Sequence, residues 1–190
     1  MKQKKSGEVA NNMESLEWYA IRATGVVAYL LLYLAALTGL YSAVQKKRKK
    51  KVNNLLHFHE VVSDWSLIMT AGHLGILLID AYMKFSWSDI LIPFSGSYET
   101  ISMGLGSIGF YFLILTIVTS KFRKKMGYQR WQKLHALNPI LYILVTAHGL
   151  MSGTDFQGTV LAVVNIVPVV LMLGMFPSDK KKLTEGKGAI

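Results

Sequence analysis

Residues 55–83 read LLHFHEVVSDWSLIMTAGHLGILLIDAYM, an apolar run that carries His57, His59 and His73. His59 and His73 stand fourteen residues apart. In an α-helix that separation is ~21 Å along the axis and ~40° short of four whole turns. The two imidazoles therefore share nearly one face, near opposite sides of a hydrocarbon layer ~30 Å thick. Ionisable groups at such depth are costly and mark function. His57, two residues from His59, points to a different side.

The rest of the chain has the composition of a membrane protein. It is 190 residues long and 52% hydrophobic, with a formal charge of +10 and a mean hydropathy of +0.34. The basic residues do not form a nucleic-acid surface. They sit in blocks between long apolar runs, as in cytoplasmic loops. There is no cysteine, which excludes disulfides, zinc–thiolate sites, iron–sulfur ligation and c-type haem attachment. No secretory signal is evident, and the N-terminus is expected to be kept.

Charge orders the segments. Residues 1–17 hold three lysines and three glutamates and read as a polar, disordered arm. Segment one, Trp18 to Val44, opens on the aromatic pair Trp18 and Tyr19 and carries Arg22 a turn inside its end. Arg22 is either a snorkelling side chain or an anion partner. The block at residues 45–51, QKKRKKK, has six basic residues and marks the cytoplasmic side. Segment two is the histidine helix, with Glu60 and Asp64 expected to favour its N-terminus. Residues 84–100 form an outer loop whose Trp87, Ile90, Leu91, Ile92 and Phe94 predict a piece lying in the interface.

Segment three, Ile101 to Ser120, contains Gly104-Leu105-Gly106-Ser107-Ile108-Gly109, a literal G-x-G-x-x-G. No strand precedes it and no acidic residue follows at the dinucleotide-binding distance. Close helix packing explains these glycines better. Lys121 to Arg130 adds five basic residues without an acid. Segment four runs from Trp131 to Met151, and segment five from Val160 to about Phe176, with Pro168 a kink. The architecture expected is an all-α bundle of five transmembrane helices, N-terminus outside and C-terminus cytoplasmic. It comprises a polar arm (1–17), one membrane domain (18–177) and a basic cytoplasmic tail (178–190).

In this topology segments two and four run in the same direction. His59 and His135 fall near the cytoplasmic end, and His73 and His148 near the outer end. Two histidines at one depth on facing helices can ligate one haem iron from both sides, so the four define two stacked haem sites. A proton or metal-ion pathway is the rival reading. It would add carboxylates at mid-membrane, where Leu67, Ile68, Met69, Ile140, Leu141, Ile143 and Leu144 predict an aliphatic surround. Gly72, Gly75 and Gly149, next to the outer histidines, are expected to leave room for a flat macrocycle. One spacing fits badly. His135 and His148 are thirteen apart, which leaves them ~140° out of phase in an ideal helix. A distortion near Asn138–Pro139 is therefore predicted.

At these residues the chain resembles the ferric reductase-like transmembrane family, which includes the membrane domains of ferric reductases and NADPH oxidases and the MsrQ-type subunit of a periplasmic methionine-sulfoxide reductase system. The resemblance covers roughly residues 18–177. It rests on Arg22-Ala23-Thr24-Gly25, on Phe58-His59 with His73, on Trp131 with Leu134-His135, and on His148-Gly149. It implies two b-type haems, with His59 and His135 as axial ligands of the inner iron and His73 and His148 of the outer. It implies Arg22 near an outer propionate, with Arg130 or Arg123 taken by position for the inner ones. FMN or a quinone is the alternative second carrier, since some relatives hold fewer haems or a flavin. The larger members' flavin and nicotinamide domain is not expected here, nor a helix before segment one.

Six-coordinate irons leave outer-sphere electron transfer as the chemistry. The expectation is a plasma-membrane oxidoreductase subunit. It would take electrons from a separate flavoprotein or quinol on the cytoplasmic side and pass them to an extracytoplasmic acceptor. Its surroundings are membrane lipid, with no nucleic acid.

Overall fold

The computed structural model describes residues 2–81, 83–153, 165–168 and 170–171, with side chains described from residue 16 onward. Among these residues all regular structure is helical. The elements are α1 (Lys2–Lys47), α2 (Asn53–Ile79), α3 (Trp87–Leu91), α4 (Thr100–Lys121), α5 (Arg123–Met126), α6 (Tyr128–His135) and α7 (Asn138–Ser152). Four stretches are long and apolar enough to span a membrane: Leu16–Lys47, Asn53–Ile79, Thr100–Lys121, and Tyr128–Ser152 with its internal break. Most of the expected fifth span, residues 160–176, lies outside the described residues, although Asn165–Pro168 within it are helical.

The polar arm departs from expectation. Helix α1 begins at Lys2 and continues without interruption into the first span. No proline interrupts it, and the helix ends where the basic block begins. Lys46 and Lys47 occupy its last turn, where cations complement the carbonyl end of the helix dipole. The chain then turns through Lys49, whose φ is 58°.

Two antiparallel hairpins make the bundle. Helix α2 packs along α1, with His59 at Gly39, Ser66 bonded to the Ala28 carbonyl and His73 at Gly25. Helix α7 packs along α4 in the same manner, with His148 at Gly106 and Val145 at Gly109, and Thr116 bonded to Asn138. The hairpins meet through Tyr29, Leu32, Leu113, Ile117, Leu141 and Tyr142, which are buried together. The three glycines of residues 104–109 are each occupied by a different neighbour: the Phe94 ring, His148 and Val145. The motif is thus a packing surface, as its context predicts.

The connection between α2 and α4 folds back over the bundle. Helix α3 starts in a capping box, Ser86 with Asp89, which satisfies two otherwise unpaired N–H groups. Ile90 is buried beneath it while Trp87, Ile92 and Phe94 stay exposed, as an interfacial segment requires.

Glu60 and Asp64 differ from expectation. Helix α2 starts at Asn53 and has no acidic residue in its first turn. Both carboxylates instead bond to Lys121 Nζ, at 3.0 and 2.7 Å, and tie α2 to the end of α4.

Candidate functional site

The four intramembrane histidines fall into two groups. His59 and His135 face each other with ring centres 6.2 Å apart and planes at 77°. His73 and His148 line one cavity of about 440 Å³ together with Arg22 and Trp18. That volume lies in the usual cofactor-site range of ~300–1,000 Å³. The pairs lie at two depths, as the fourteen-residue spacing requires.

Three of the four rings are held by a neighbouring helix. His59 Nδ1 lies 2.8 Å from the Ala35 carbonyl, and His73 Nδ1 lies 3.0 Å from the Ile21 carbonyl. His148 Nδ1 lies 2.8 Å from the Ser102 carbonyl. A carbonyl oxygen can only accept, so each contact fixes the tautomer with Nδ1 protonated and Nε2 bare. A bare Nε2, oriented through Nδ1–H, is the form that ligates a metal.

The same local device recurs at all three. The accepting carbonyl belongs to residue i of the neighbouring helix, and residue i+4 is glycine. The pairs are Ile21 and Gly25, Ala35 and Gly39, and Ser102 and Gly106. A Cβ at Gly25 or Gly39 would come within 3.2 Å of the His73 or His59 ring, and one at Gly106 within 2.9 Å of His148. The glycine is the floor on which the ring lies. The two devices on α1 are fourteen residues apart, the same step as His59 to His73 on α2.

His135 is held differently. Helix α6 ends at His135 and α7 begins at Asn138. The predicted distortion is present, with the break at Ala136–Leu137 and Pro139 in the first turn of α7. Proline has no N–H to continue the helix ladder, and the break brings His135 round to His59. Trp131 stacks on His135 at 4.9 Å and 29°, and its indole N–H donates to Ser120 Oγ. The Asn138 amide nitrogen lies 3.4 Å from both His135 ring nitrogens.

These groups fit a haem. His59 and His135 are spaced so that a metal held between them would be within reach of both rings, and the cavity at His73 and His148 would leave room for a cofactor. Among the described residues no three histidine, cysteine or acidic side chains cluster to hold a bare ion. Paired histidines suit a group that brings its own equatorial nitrogens.

The arginines separate. Arg22 sits with its guanidinium 4.1 Å from the Trp18 ring centre at the wall of the cavity that His73 and His148 line. Arg130 is exposed on α6. Arg123 lies 5.4 Å over Trp131, the ring that stacks on His135. His57 belongs to neither pair and is exposed.

Sequence reasoning misplaced two features. Gly72 and Gly75 are exposed and do not line the cavity, although Gly149 does, and the glycines in contact with the rings are Gly25, Gly39 and Gly106. The mid-membrane layer is not purely aliphatic either. Ile68, Ile140 and Ile143 face outward. Between the two histidine levels, the Tyr29 hydroxyl reaches Tyr142 at 3.1 Å and Thr146 at 3.0 Å, and Tyr142 reaches the Asn165 carbonyl. The repeated glycine step and the two tyrosines were the available signals.

Fold and site together define a polytopic helical membrane protein with two histidine pairs stacked along its bundle. The chain belongs to the ferric reductase like transmembrane component family, whose model matches residues 12–146. No curated protein and no solved structure matches it.

Proposed function

We propose that this protein is a transmembrane b-type cytochrome with two bis-histidine haems, at His59–His135 and His73–His148. The family assignment supports an electron-transfer role across the membrane. The observation that carries the haem reading is the pairing itself: two histidine pairs at two depths, three of the four rings with Nδ1 on a carbonyl. Bound haem would supply one-electron chemistry at each level.

The chain's own residues do the rest. Backbone carbonyls and glycine floors set the direction of three rings, so little reorganisation accompanies a change of iron charge. Arg22 offers a guanidinium for a propionate at the outer cavity, and Arg123 or Arg130 does so on the inner side. The basic blocks at 45–51 and 121–130 are the cytoplasmic side of a five-helix, N-out topology in the plasma membrane, and residues 84–100 face outward. Electrons enter from a separate flavoprotein or a quinol at the inner face and leave to an extracytoplasmic acceptor. FMN or a quinone replaces one haem if only one is bound.

The test is the haem count per purified polypeptide, by pyridine haemochrome and a reduced-minus-oxidised spectrum. Two b haems are expected, with one lost in His73→Ala. One haem would leave a one-haem redox protein with a second carrier. None, after expression with haem supplied, would overturn the reading in favour of a proton or metal-ion transporter that uses the same histidines.

A further inference from the structure

The carbonyl-and-glycine device supports His59, His73 and His148, and its absence at His135 is informative. Helix α4 serves α7 as α1 serves α2. One fourteen-residue step beyond Ser102 and Gly106 lie Thr116 and Ser120, where a fourth device would have its carbonyl and its glycine. Position 120 has a side chain, and α7 has been interrupted at the turn that would have carried His135 onto that carbonyl. Both positions act instead through their side chains. Thr116 Oγ1 bonds Asn138 Oδ1 at 2.7 Å, and Ser120 Oγ accepts from the Trp131 indole at 3.1 Å. Asn138 and Trp131 both contact the His135 ring.

We infer that Asn138, anchored by Thr116, is the positioning residue for His135 and takes the place that a backbone carbonyl holds for the other three histidines. The chemistry requires an acceptor. If His135 is to present a bare Nε2, Nδ1 must be protonated and needs an oxygen to donate to. Asn138 is the side-chain amide at the ring. In the structure its nitrogen faces the ring, 3.4 Å from both ring nitrogens, and its oxygen accepts from Thr116; a half-turn of the amide exchanges the two, and a threonine hydroxyl donates to one or accepts from the other. With the oxygen toward the ring, the amide accepts Nδ1–H while its nitrogen donates to Thr116. A side-chain amide is the same kind of acceptor as a backbone carbonyl, but unlike the carbonyl it can be removed or exchanged by a single substitution. His135 is therefore the ligand whose basicity is set by one replaceable group.

The inference rests on the two-haem reading, and the test separates the two. In a His73→Ala background only the inner haem remains, so its midpoint potential is read without overlap. Removing the acceptor in Asn138→Ala makes the imidazole less basic and favours ferrous iron. The expected shift is upward, about tenfold in the reduction equilibrium, or ~59 mV for one electron. Asn138→Asp, a stronger acceptor, should move the potential below the wild-type value. Thr116→Val should shift it upward by less than Asn138→Ala, and it stands in if that variant does not fold. A merely structural role would move the alanine and aspartate variants in the same direction. Shifts of one sign in both, or no shift in either, overturn the inference. Absence of haem from the parent protein, or an inner haem that survives His135→Ala, overturns the haem reading instead.

Discussion

At the scale of single residues, the site is built as much from absent side chains as from present ones. A Cβ at Gly106 would lie 2.9 Å from His148 Nδ1, closer than packed atoms tolerate, and the ring has a carbonyl bond to lose. Gly106→Ala should therefore lower outer-haem content while leaving the inner haem in place. Gly72→Ala meets no neighbour, so haem content should be unchanged. Its thermal stability should be equal or higher, since alanine exceeds glycine by up to ~1 kcal/mol in helix interiors. Haem per polypeptide and the melting temperature of both variants check this. Equal haem loss in the two would show that the glycine floor has no special role. The hydroxyls of Tyr29, Tyr142 and Thr146 satisfy one another, which explains how polar groups persist in the layer between the histidine pairs.

At the scale of elements, interruptions matter more than lengths. The α6–α7 break converts a thirteen-residue spacing that an ideal helix would misdirect into two rings that each face a partner. Helix α3 is a different kind of element, five residues long and too short to persist by propensity. It depends on its cap. The Ser86 side chain, then the Ser86 backbone N–H, donates to the exposed Asp89 carboxylate and holds its pKa below the ordinary aspartate value. A carboxylate with a lowered folded-state pKa contributes stability above its unfolded value and loses it as pH falls through the folded one. Exchange protection of residues 86–92 should thus stay constant from neutral pH down to the ordinary aspartate range near ~3.9 and decline below it. Asp89→Asn should show no such decline. A parallel decline in both proteins would assign the effect to other groups.

At the scale of the whole molecule, the arrangement is two hairpins joined along one apolar seam, with lipid-facing side chains around them. Lys121 bonded to both Glu60 and Asp64 closes one end of the α2–α4 contact. These groups are substantially exposed, so the bridge adds little stability and serves to register the hairpins. The absence of cysteine makes orientation directly measurable. In intact cells a membrane-impermeant maleimide should label Ser97→Cys, in the outer connection, and leave Lys50→Cys unlabelled until the membrane is opened. The reverse pattern would invert the proposed topology and with it the direction of electron flow.

The membrane class, four of the spans and the histidine candidates were legible in the sequence. Apolar run length and residue type alone decide whether a helix can live in a bilayer, and a fourteen-residue step on one helix is a local quantity. The distortion near Asn138–Pro139 was legible for the same reason, because proline acts on its own helix. What each ring rests on was not. Gly72 and Gly75 are neighbours of His73 in sequence, yet the glycines that matter, Gly25, Gly39 and Gly106, lie on other helices. Likewise Glu60 and Asp64 read as helix-end carboxylates until α4 brought Lys121 to them. Backbone hydrogen bonding and side-chain hydropathy act along the chain and can be read from it. Ring orientation, tautomer and the choice of acceptor depend on the register between helices, which only tertiary packing decides.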